Sequence, residues 1–172
     1  MVNQNKFQIL QNECNRCVKC SLSSTRNNVV FGRGNPHSKL FVIGEGPGQQ
    51  EDEQGLAFVG RAGKMLDSAF LSVGIDTNKD CYISNIVKCR PPNNRKPLAN
   101  EVKECMPWLN EQIELIKPKV IVLAGSTAVQ SYLNIDEPIS KLRGEWIVRD
   151  DIKYMPNFSP IISFAKPFKR KR

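Results

Sequence analysis

Short apolar runs separated by longer amphipathic stretches mark the middle of the chain. Leu40–Ile43 (LFVI) and Val120–Leu123 (VIVL) are apolar throughout, and Tyr82–Lys88 (YISNIVK) is rich in β-branched residues. Apolar runs of this length, closed by glycine or polar residues, are typical of buried β-strands. A fourth strand is predicted near Lys153–Phe158.

Between these runs, apolar residues recur with the period of an α-helix. Gly63–Gly74 is predicted to form a helix that Gly74 ends, and Gly125–Leu133 is predicted to form another. The first of these helices carries an apolar stripe made of Met65, Leu66, Ala69, Phe70 and Val73.

A longer helix is predicted to begin at Asn100, a residue type that caps helices, and to end before Pro118. Pro107 lies inside it and has no amide N–H to donate, so a kink or a break into two helices is expected. The apolar face consists of Val102, Cys105, Leu109, Ile113 and Ile116.

Strands and helices therefore alternate, which predicts one α/β domain with a parallel sheet and helices on both faces. Ligands of such sheets bind beyond the carboxyl ends of the strands. The segments after Ile43, around Asn85 and after Leu123 are thus expected to meet at one site.

Length and charge narrow the class of protein. The chain has 172 residues, 40% of them hydrophobic, which suffices for one core. The formal charge of +8 indicates a polyanionic partner such as nucleic acid, with a solvated charge run as the alternative. Five of these charges lie at Lys166 and 169–172, so the rest of the chain carries +3. Without a long apolar run or a secretory signal, a cytoplasmic location without membrane contact is expected.

Six cysteines are the main candidates for metal binding, and they are Cys14, Cys17, Cys20, Cys81, Cys89 and Cys105. The C-x2-C spacing at Cys14 and Cys17 is typical of a chelating pair, and Cys20 could compete as a ligand. Spacing alone leaves zinc and iron–sulfur both open. Cys81 is expected to be an ordinary small buried residue. His37 is the single histidine, which argues against a Ser–His or Cys–His catalytic pair.

The glycine-rich stretch GEGPGQQEDEQGLAFVGRAG, Gly44–Gly63, follows the first predicted strand. It lacks the third spaced glycine of a dinucleotide-binding turn and the Gly-Lys-Ser/Thr of a phosphate-binding loop. Phe58 within it has two interpretations, a core aromatic residue or a platform on which a planar ligand stacks.

IGEGPG, FVGRAG, SNIVKCRPP and the cysteine framework together resemble the iron–sulfur uracil-DNA glycosylases of family 4, from about Cys14 to Phe158. The resemblance implies a three-layer αβα sandwich on a central four-stranded parallel sheet. It also implies a [4Fe–4S] cluster with a structural role. The ligands it implies are Cys14, Cys17, Cys89 and Cys105.

The same resemblance implies roles for the residues of the site. Gly44, Glu45 and Gly46 would line a uracil pocket, with Glu45 as the catalytic residue that positions or activates the attacking water. Phe58 would stack on the base, and Asn85 would read the edge of uracil. The contacts to DNA phosphates would come from Arg90, Arg95 and Lys96, for which a solvated basic loop is the alternative.

The implied function is hydrolysis of the N-glycosidic bond of flipped-out uracil in DNA, the start of base-excision repair, by a protein expected to be a monomer. Two alternatives stay open: a catalytically impaired iron–sulfur protein that only binds uracil or DNA, and a structural zinc module.

The resemblance fails after the last strand, where family members have a His-Pro-Ser loop and this chain has SPIISFAKPFKRKR. With one choice of codons, the same bases read one position later give HPSYLLRNPSKEK. We therefore expect that residues 1–158 form the glycosylase-like domain and that 159–172 are the product of a frame slip, outside the native fold. Loss of this histidine is the reason for the impaired alternative.

Overall fold

The computed structural model describes residues 3–157 as six strands, six α-helices and two short 3₁₀ helices, Ser21–Ser24 and Pro92–Asn94. The predictions about Phe158 and the tail that follows it lie outside these residues. The strands are β1 (Arg33–Gly34), β2 (Leu40–Gly44), β3 (Cys81–Asn85), β4 (Val120–Ala124), β5 (Ile147–Arg149) and β6 (Ile152–Asn157). The helices are α1 (Gln4–Asn15), α2 (Gln49–Gln54), α3 (Arg61–Leu71), α4 (Ala99–Ile116), α5 (Ser126–Leu133) and α6 (Ile139–Leu142).

The strands form one sheet in the order β1-β3-β2-β4-β6-β5. Its four central strands are parallel, as predicted, whereas β1 and β5 pair antiparallel at the two edges. The full sheet is therefore mixed and six-stranded. Both edge strands are too short, at two and three residues, to leave a pattern in the sequence.

Helices cover both faces of the sheet. Successive side chains of a strand point to opposite faces, so each face carries apolar side chains that a helix can bury. In β2, Phe41 and Ile43 belong to the larger core cluster, which includes residues of α1, α4 and α5. Val42 belongs to a smaller cluster with Leu66 of α3 and with Cys81, which is fully buried as predicted. Within residues 3–157, no helix combines the length and apolar character needed to cross a bilayer.

Helix α4 departs from its prediction in two ways. It runs without a break from Ala99 to Ile116 through Pro107, so the expected division into two helices is wrong. The cap is Leu98 rather than Asn100, and the backbone N–H of Leu98 donates to the Glu101 carboxylate at 2.8 Å. The face that includes Cys105 and Leu109 is buried on both sides of the proline, and this packing outweighs the one missing hydrogen bond.

Helix α3 begins two residues earlier than predicted and ends at Leu71. Val73 therefore lies beyond the helix and is 71% exposed, so its place on the apolar stripe was wrong. Gly74 closes the turn in the left-handed conformation, with φ of 81° and its N–H donating to the Leu71 carbonyl.

The loop before α3 presses its backbone directly onto the first turn of that helix. Phe58 adopts φ of 53°, and its carbonyl accepts a hydrogen bond from the Arg33 guanidinium at 3.2 Å. A Cβ atom at Gly63 would overlap the carbonyl group of Phe58. Glycine is therefore required at position 63 by the close approach of two backbone segments.

Gly63→Ala is expected to lower the free energy of unfolding by about 1–3 kcal/mol, because the added methyl group displaces the Phe58 loop. Alanine in place of glycine inside a helix ordinarily stabilises by up to about 1 kcal/mol, so the sign is diagnostic. Urea denaturation measures the change, with the exposed Ser68→Ala in the same helix as a control expected within about 0.5 kcal/mol of wild type. A more stable Gly63→Ala variant would contradict the steric account.

Candidate active site

A cleft of about 540 Å³ opens at the carboxyl ends of the central strands. Its lining includes Glu45 after β2, Asn85 at the end of β3 and Gly125 after β4, so the three predicted segments meet as expected. The chain passes from β2 to β3 on one side and later places β4 on the other side of β2. Such a reversal of strand order leaves a crevice for a ligand in α/β sheets.

Asn85 contributes a buried amide group to the wall of the cleft. The residue is 1% exposed, and its side-chain oxygen Oδ1 has no hydrogen-bond partner within the described part of the chain. An unsatisfied buried acceptor costs roughly 1–3 kcal/mol. A ligand that donates a hydrogen bond there would remove this cost.

Phe58 and Asn85 approach each other over Gly44. A Cβ atom at Gly44 would meet the Phe58 ring on one side and Oδ1 of Asn85 at 2.5 Å on the other. Gly44 is buried behind these two side chains rather than among the residues that line the cleft, where Gly46 is found. Phe58 both packs against the smaller core cluster and lines the cleft, so its two sequence interpretations are compatible.

Glu51 holds together the loops on both sides of this pocket, and sequence reasoning missed it. Its carboxylate accepts hydrogen bonds from the backbone N–H groups of Val59 at 2.9 Å, Gly60 at 2.6 Å and Gly48 at 3.2 Å. The local signal is an acidic residue at the third position of a helix, α2, which follows a glycine. The bonds to Val59 and Gly60 depend on a contact that the sequence does not show.

Glu45 is held across the crevice by Thr127, a second residue that sequence reasoning missed. The hydroxyl of Thr127 donates to Oε2 of Glu45 at 2.5 Å. Thr127 is buried in the first turn of α5, directly after β4. The sequence signal that could have identified Thr127 is its position just after β4, one of the strands whose carboxyl ends form the site. This hydrogen bond fixes the Glu45 carboxylate at the carboxyl end of β2.

The three predicted basic residues lie in one segment but differ in their contacts. Arg95 makes two hydrogen bonds, at 2.8 and 2.6 Å, to the buried Glu101 carboxylate. These hydrogen bonds hold the pKa of Glu101 below its usual value. Arg90 donates to Asn94 at 2.8 Å, and Lys96 is exposed. Their contact with DNA stays a prediction.

A second cavity, away from the cleft, gathers the cysteines. Its lining includes all four predicted ligands and Cys20, but not Cys81. Burial raises the pKa of Cys14 to about 12 and that of Cys105 to about 11.

Hydrogen-bond donors already point at two of the sulfur atoms in this cavity. The Arg26 guanidinium donates to Sγ of Cys89 at 3.3 Å, and the backbone N–H of Lys88 donates to Sγ of Cys105 at 3.2 Å. Burial lowers the pKa of the Lys88 ammonium to about 8, an effect that the neighbouring cysteines oppose. The cavity is thus a cysteine-rich site with cationic neighbours.

Comparison with known proteins agrees with this architecture. The sequence model of the uracil DNA glycosylase superfamily matches residues 31–172. The type-4 uracil-DNA glycosylase of Thermotoga maritima is 41% identical over 158 residues, which cover 90% of this chain and 81% of that protein. The corresponding protein of Saccharolobus solfataricus is 37% identical over 96% of this chain and 80% of its own length. That of Archaeoglobus fulgidus is 43% identical over 75% and 66%, respectively. The chain belongs to the uracil DNA glycosylase superfamily.

Proposed function

We propose that this protein is a uracil-DNA glycosylase, which hydrolyses the N-glycosidic bond between uracil and deoxyribose and leaves an abasic site. The observation that carries the proposal is the buried, unpartnered Oδ1 of Asn85 beside Phe58 in the cleft. Membership of the superfamily and the names of its type-4 relatives support the same activity.

The cleft suits a base that has been rotated out of the DNA. A base inside the duplex hides its glycosidic bond within the stack, so an enzyme that attacks this bond must first extrude the nucleotide. A volume of about 540 Å³ lies in the range of small-molecule sites. Phe58 would stack on the extruded ring, since its side chain lines the cleft next to Asn85.

Asn85 would distinguish uracil from cytosine by the polarity of its amide. Oδ1 accepts a hydrogen bond from N3–H of uracil, and Nδ2 donates one to O4. Cytosine presents an acceptor at N3 and a donor at N4. An amide held in this orientation would face N3 with its oxygen and N4 with its NH2 group, so neither hydrogen bond could form. Each unmet buried group costs about 1–3 kcal/mol. The contacts over Gly44 restrict where the Asn85 side chain can lie.

Glu45 would orient the water that attacks C1′ of the sugar. The water oxygen forms the new bond to C1′ and gives a proton to the Glu45 carboxylate, the bond from C1′ to N1 breaks, and uracil leaves with the bonding electron pair. A carboxylate near C1′ also favours the positive charge that develops on the sugar. Thr127 fixes this carboxylate through its hydrogen bond to Oε2. The flanking Gly46 allows the backbone to approach the base closely.

DNA would lie across the segment that carries the basic residues. Lys96 is exposed and Arg90 is half-buried, and both belong to the segment whose Pro91, Asn94 and Arg95 line the cleft, so both would reach phosphate oxygens. Arg95 would contribute its positive charge from a fixed position, because both of its terminal nitrogens hold Glu101.

The cysteine cavity would hold an iron–sulfur cluster rather than a single metal ion. Within residues 3–157, no three His, Cys, Asp or Glu side chains stand close enough to hold one ion. The ligands of a four-iron cluster each bind a different iron, so they stand farther apart around a larger space. Four cysteines of this cavity, Cys14, Cys17, Cys89 and Cys105, would hold the cluster, with Cys20 beside them. Its contribution would be structural, because it would join the end of α1 to α4 and to the loop after β3.

A catalytically impaired uracil-binding protein is the second candidate. The enzyme family places a histidine opposite O2 of the leaving uracil, and the single histidine here, His37, is exposed and absent from the residues that line the cleft. Binding of uracil-containing DNA without release of the base would identify this function.

Asn85→Asp is expected to reduce kcat/KM for uracil release by about 5- to 150-fold, because a carboxylate cannot donate to O4. Release of radiolabelled uracil from an oligonucleotide measures the change. Asn110→Asp, the same chemical change on the exposed side of α4, is the control and should stay within about twofold of wild type. An Asn85→Asp variant as fast as wild type would remove Asn85 from recognition.

Cys14→Ser is expected to abolish the broad visible absorption of an iron–sulfur cluster and to reduce bound iron, since a ligand in the cavity is lost. Iron analysis and absorption spectroscopy test this. Cys81→Ser removes an equally buried cysteine outside the cavity and should keep both signals. A colourless wild-type protein with stoichiometric zinc would overturn the cluster assignment.

Restoring the shifted reading frame is expected to raise the rate of uracil release by on the order of 10²–10³, the contribution of one donor to the developing oxyanion. The variant carries HPSYLLRNPSKEK in place of residues from 159 onward. The matched control carries APSYLLRNPSKEK, which lacks only the histidine. Single-turnover rates that are equal for the two variants would rule out this role for the histidine.

A further inference from the structure

Lys88 places a charged side chain inside the protein, where it is 1% exposed. In the chain it lies three residues after Asn85 and directly before Cys89. Lysine is almost never fully buried unless its ammonium group is paired. The partners of this ammonium group therefore indicate what it does.

All three N–H bonds of the Lys88 ammonium group have an oxygen acceptor. Nζ lies 2.5 Å from Oγ of Ser84, 2.6 Å from Oε1 of Gln112 and 2.9 Å from the backbone carbonyl oxygen of Asn85. Ser84 and Gln112 are themselves tied to the carbonyl of Phe31, each at 2.8 Å. The Lys88 side chain is thus held rigidly, and it holds the backbone of Asn85.

These three acceptors are neutral, so none of them balances the positive charge. Within residues 3–157, no carboxylate forms an ion pair with Lys88. A buried cation is costly unless an anion lies nearby. Lys88 also lines the cysteine cavity, and the one carboxylate among the described lining residues, that of Glu104, is exposed. A negatively charged group held in the cavity would supply the missing charge.

We propose that Lys88 is the charge partner of the thiolate-ligated group in the cysteine cavity and, through the same ammonium group, the positioning residue of Asn85. The inference rests on the proposed function. Four thiolates around an iron–sulfur cluster carry net negative charge into a dry cavity, and a buried ammonium group compensates it. The same ammonium group donates to the backbone carbonyl of the residue that reads uracil.

This arrangement gives the cysteine cavity a defined route to the uracil site. The route runs from Sγ of Cys105 to the backbone N–H of Lys88, at 3.2 Å, and from Nζ of Lys88 to the backbone carbonyl of Asn85, within three residues of chain. Loss of the anion leaves an uncompensated charge at Nζ, which disturbs the carbonyl of Asn85. The amide of Asn85 then loses its fixed orientation in the cleft.

Lys88→Met tests the proposal, because it removes the charge and keeps a similar volume. We expect the reduction potential of the bound cluster to become more negative, since a nearby positive charge is lost. We also expect the affinity for free uracil to fall about tenfold, from the loss of a charged hydrogen bond at Asn85. Affinity for undamaged DNA of the same sequence should stay within about twofold.

Ser84→Ala is the matched control, because it deletes a group of the same buried network but keeps the ammonium group and its bond to Asn85. Its cluster potential should equal that of wild type. An unchanged potential and unchanged uracil affinity in Lys88→Met would overturn the proposal. Equal potential shifts in both variants would also overturn it, since they would reflect disturbed packing alone.

Lys88→Gln serves if Lys88→Met does not fold, because it keeps an N–H donor without the charge. The same shift in potential is expected. If both variants fold, as judged by circular dichroism, yet bind no iron while Ser84→Ala does, charge compensation is supported. Absence of uracil release by the wild-type protein would count against the proposed function. The reduction potential of the cluster would still test, separately, whether Lys88 compensates its charge.

Discussion

Gly44 is the point where three requirements of the structure meet. It ends β2, pairs with Asn85 of β3 across the sheet, and lies beneath the ring of Phe58. A side chain there would push the aromatic ring and the amide apart. The walls of the cleft depend on this one missing Cβ atom. The approach of the Phe58 ring to Gly44 also requires the loop of Phe58 to lie against the first turn of α3. Gly63, Arg33 and Glu51 hold the loop in that position.

The parallel sheet brings the other residues of the site to this contact. Because β2, β3 and β4 run in the same direction, their carboxyl ends bring Glu45, Asn85 and Thr127 together from distant parts of the chain. The cysteine cavity receives its residues from the end of α1, the segment 17–29 that follows it, the loop after β3 and α4. Recognition chemistry and the cysteine cavity thus share the short segment from Asn85 to Cys89.

The central fold could be predicted because its signals are local. The four predicted strands correspond to the four central strands, and the alternation with helices predicted the layers. The edge strands β1 and β5 are too short to show a period. Pro107 does not divide α4 into two helices, because burial of the α4 face on both sides of it exceeds the local cost of the proline.

The site was predictable where a residue follows a strand and less so where a contact joins distant segments. Asn85, Glu45 and Phe58 were identified from motifs, and the structure brings them to one cleft. The bond from Thr127 to Glu45 spans 82 positions, so no local pattern predicts it. Arg95 looked like a free cation, and only the fold shows that it holds Glu101. The burial of Lys88 was equally hidden, because its acceptors come from β3 and α4.

The most direct measurement is single-turnover release of uracil from a labelled oligonucleotide by an excess of the purified protein. Excess protein reveals chemistry even when the rate is low. We expect free uracil and an abasic site to appear together, at the uracil position only. If the base stays attached, and the protein binds uracil- and thymine-containing DNA equally well, the cleft does not recognise uracil and the central claim is contradicted.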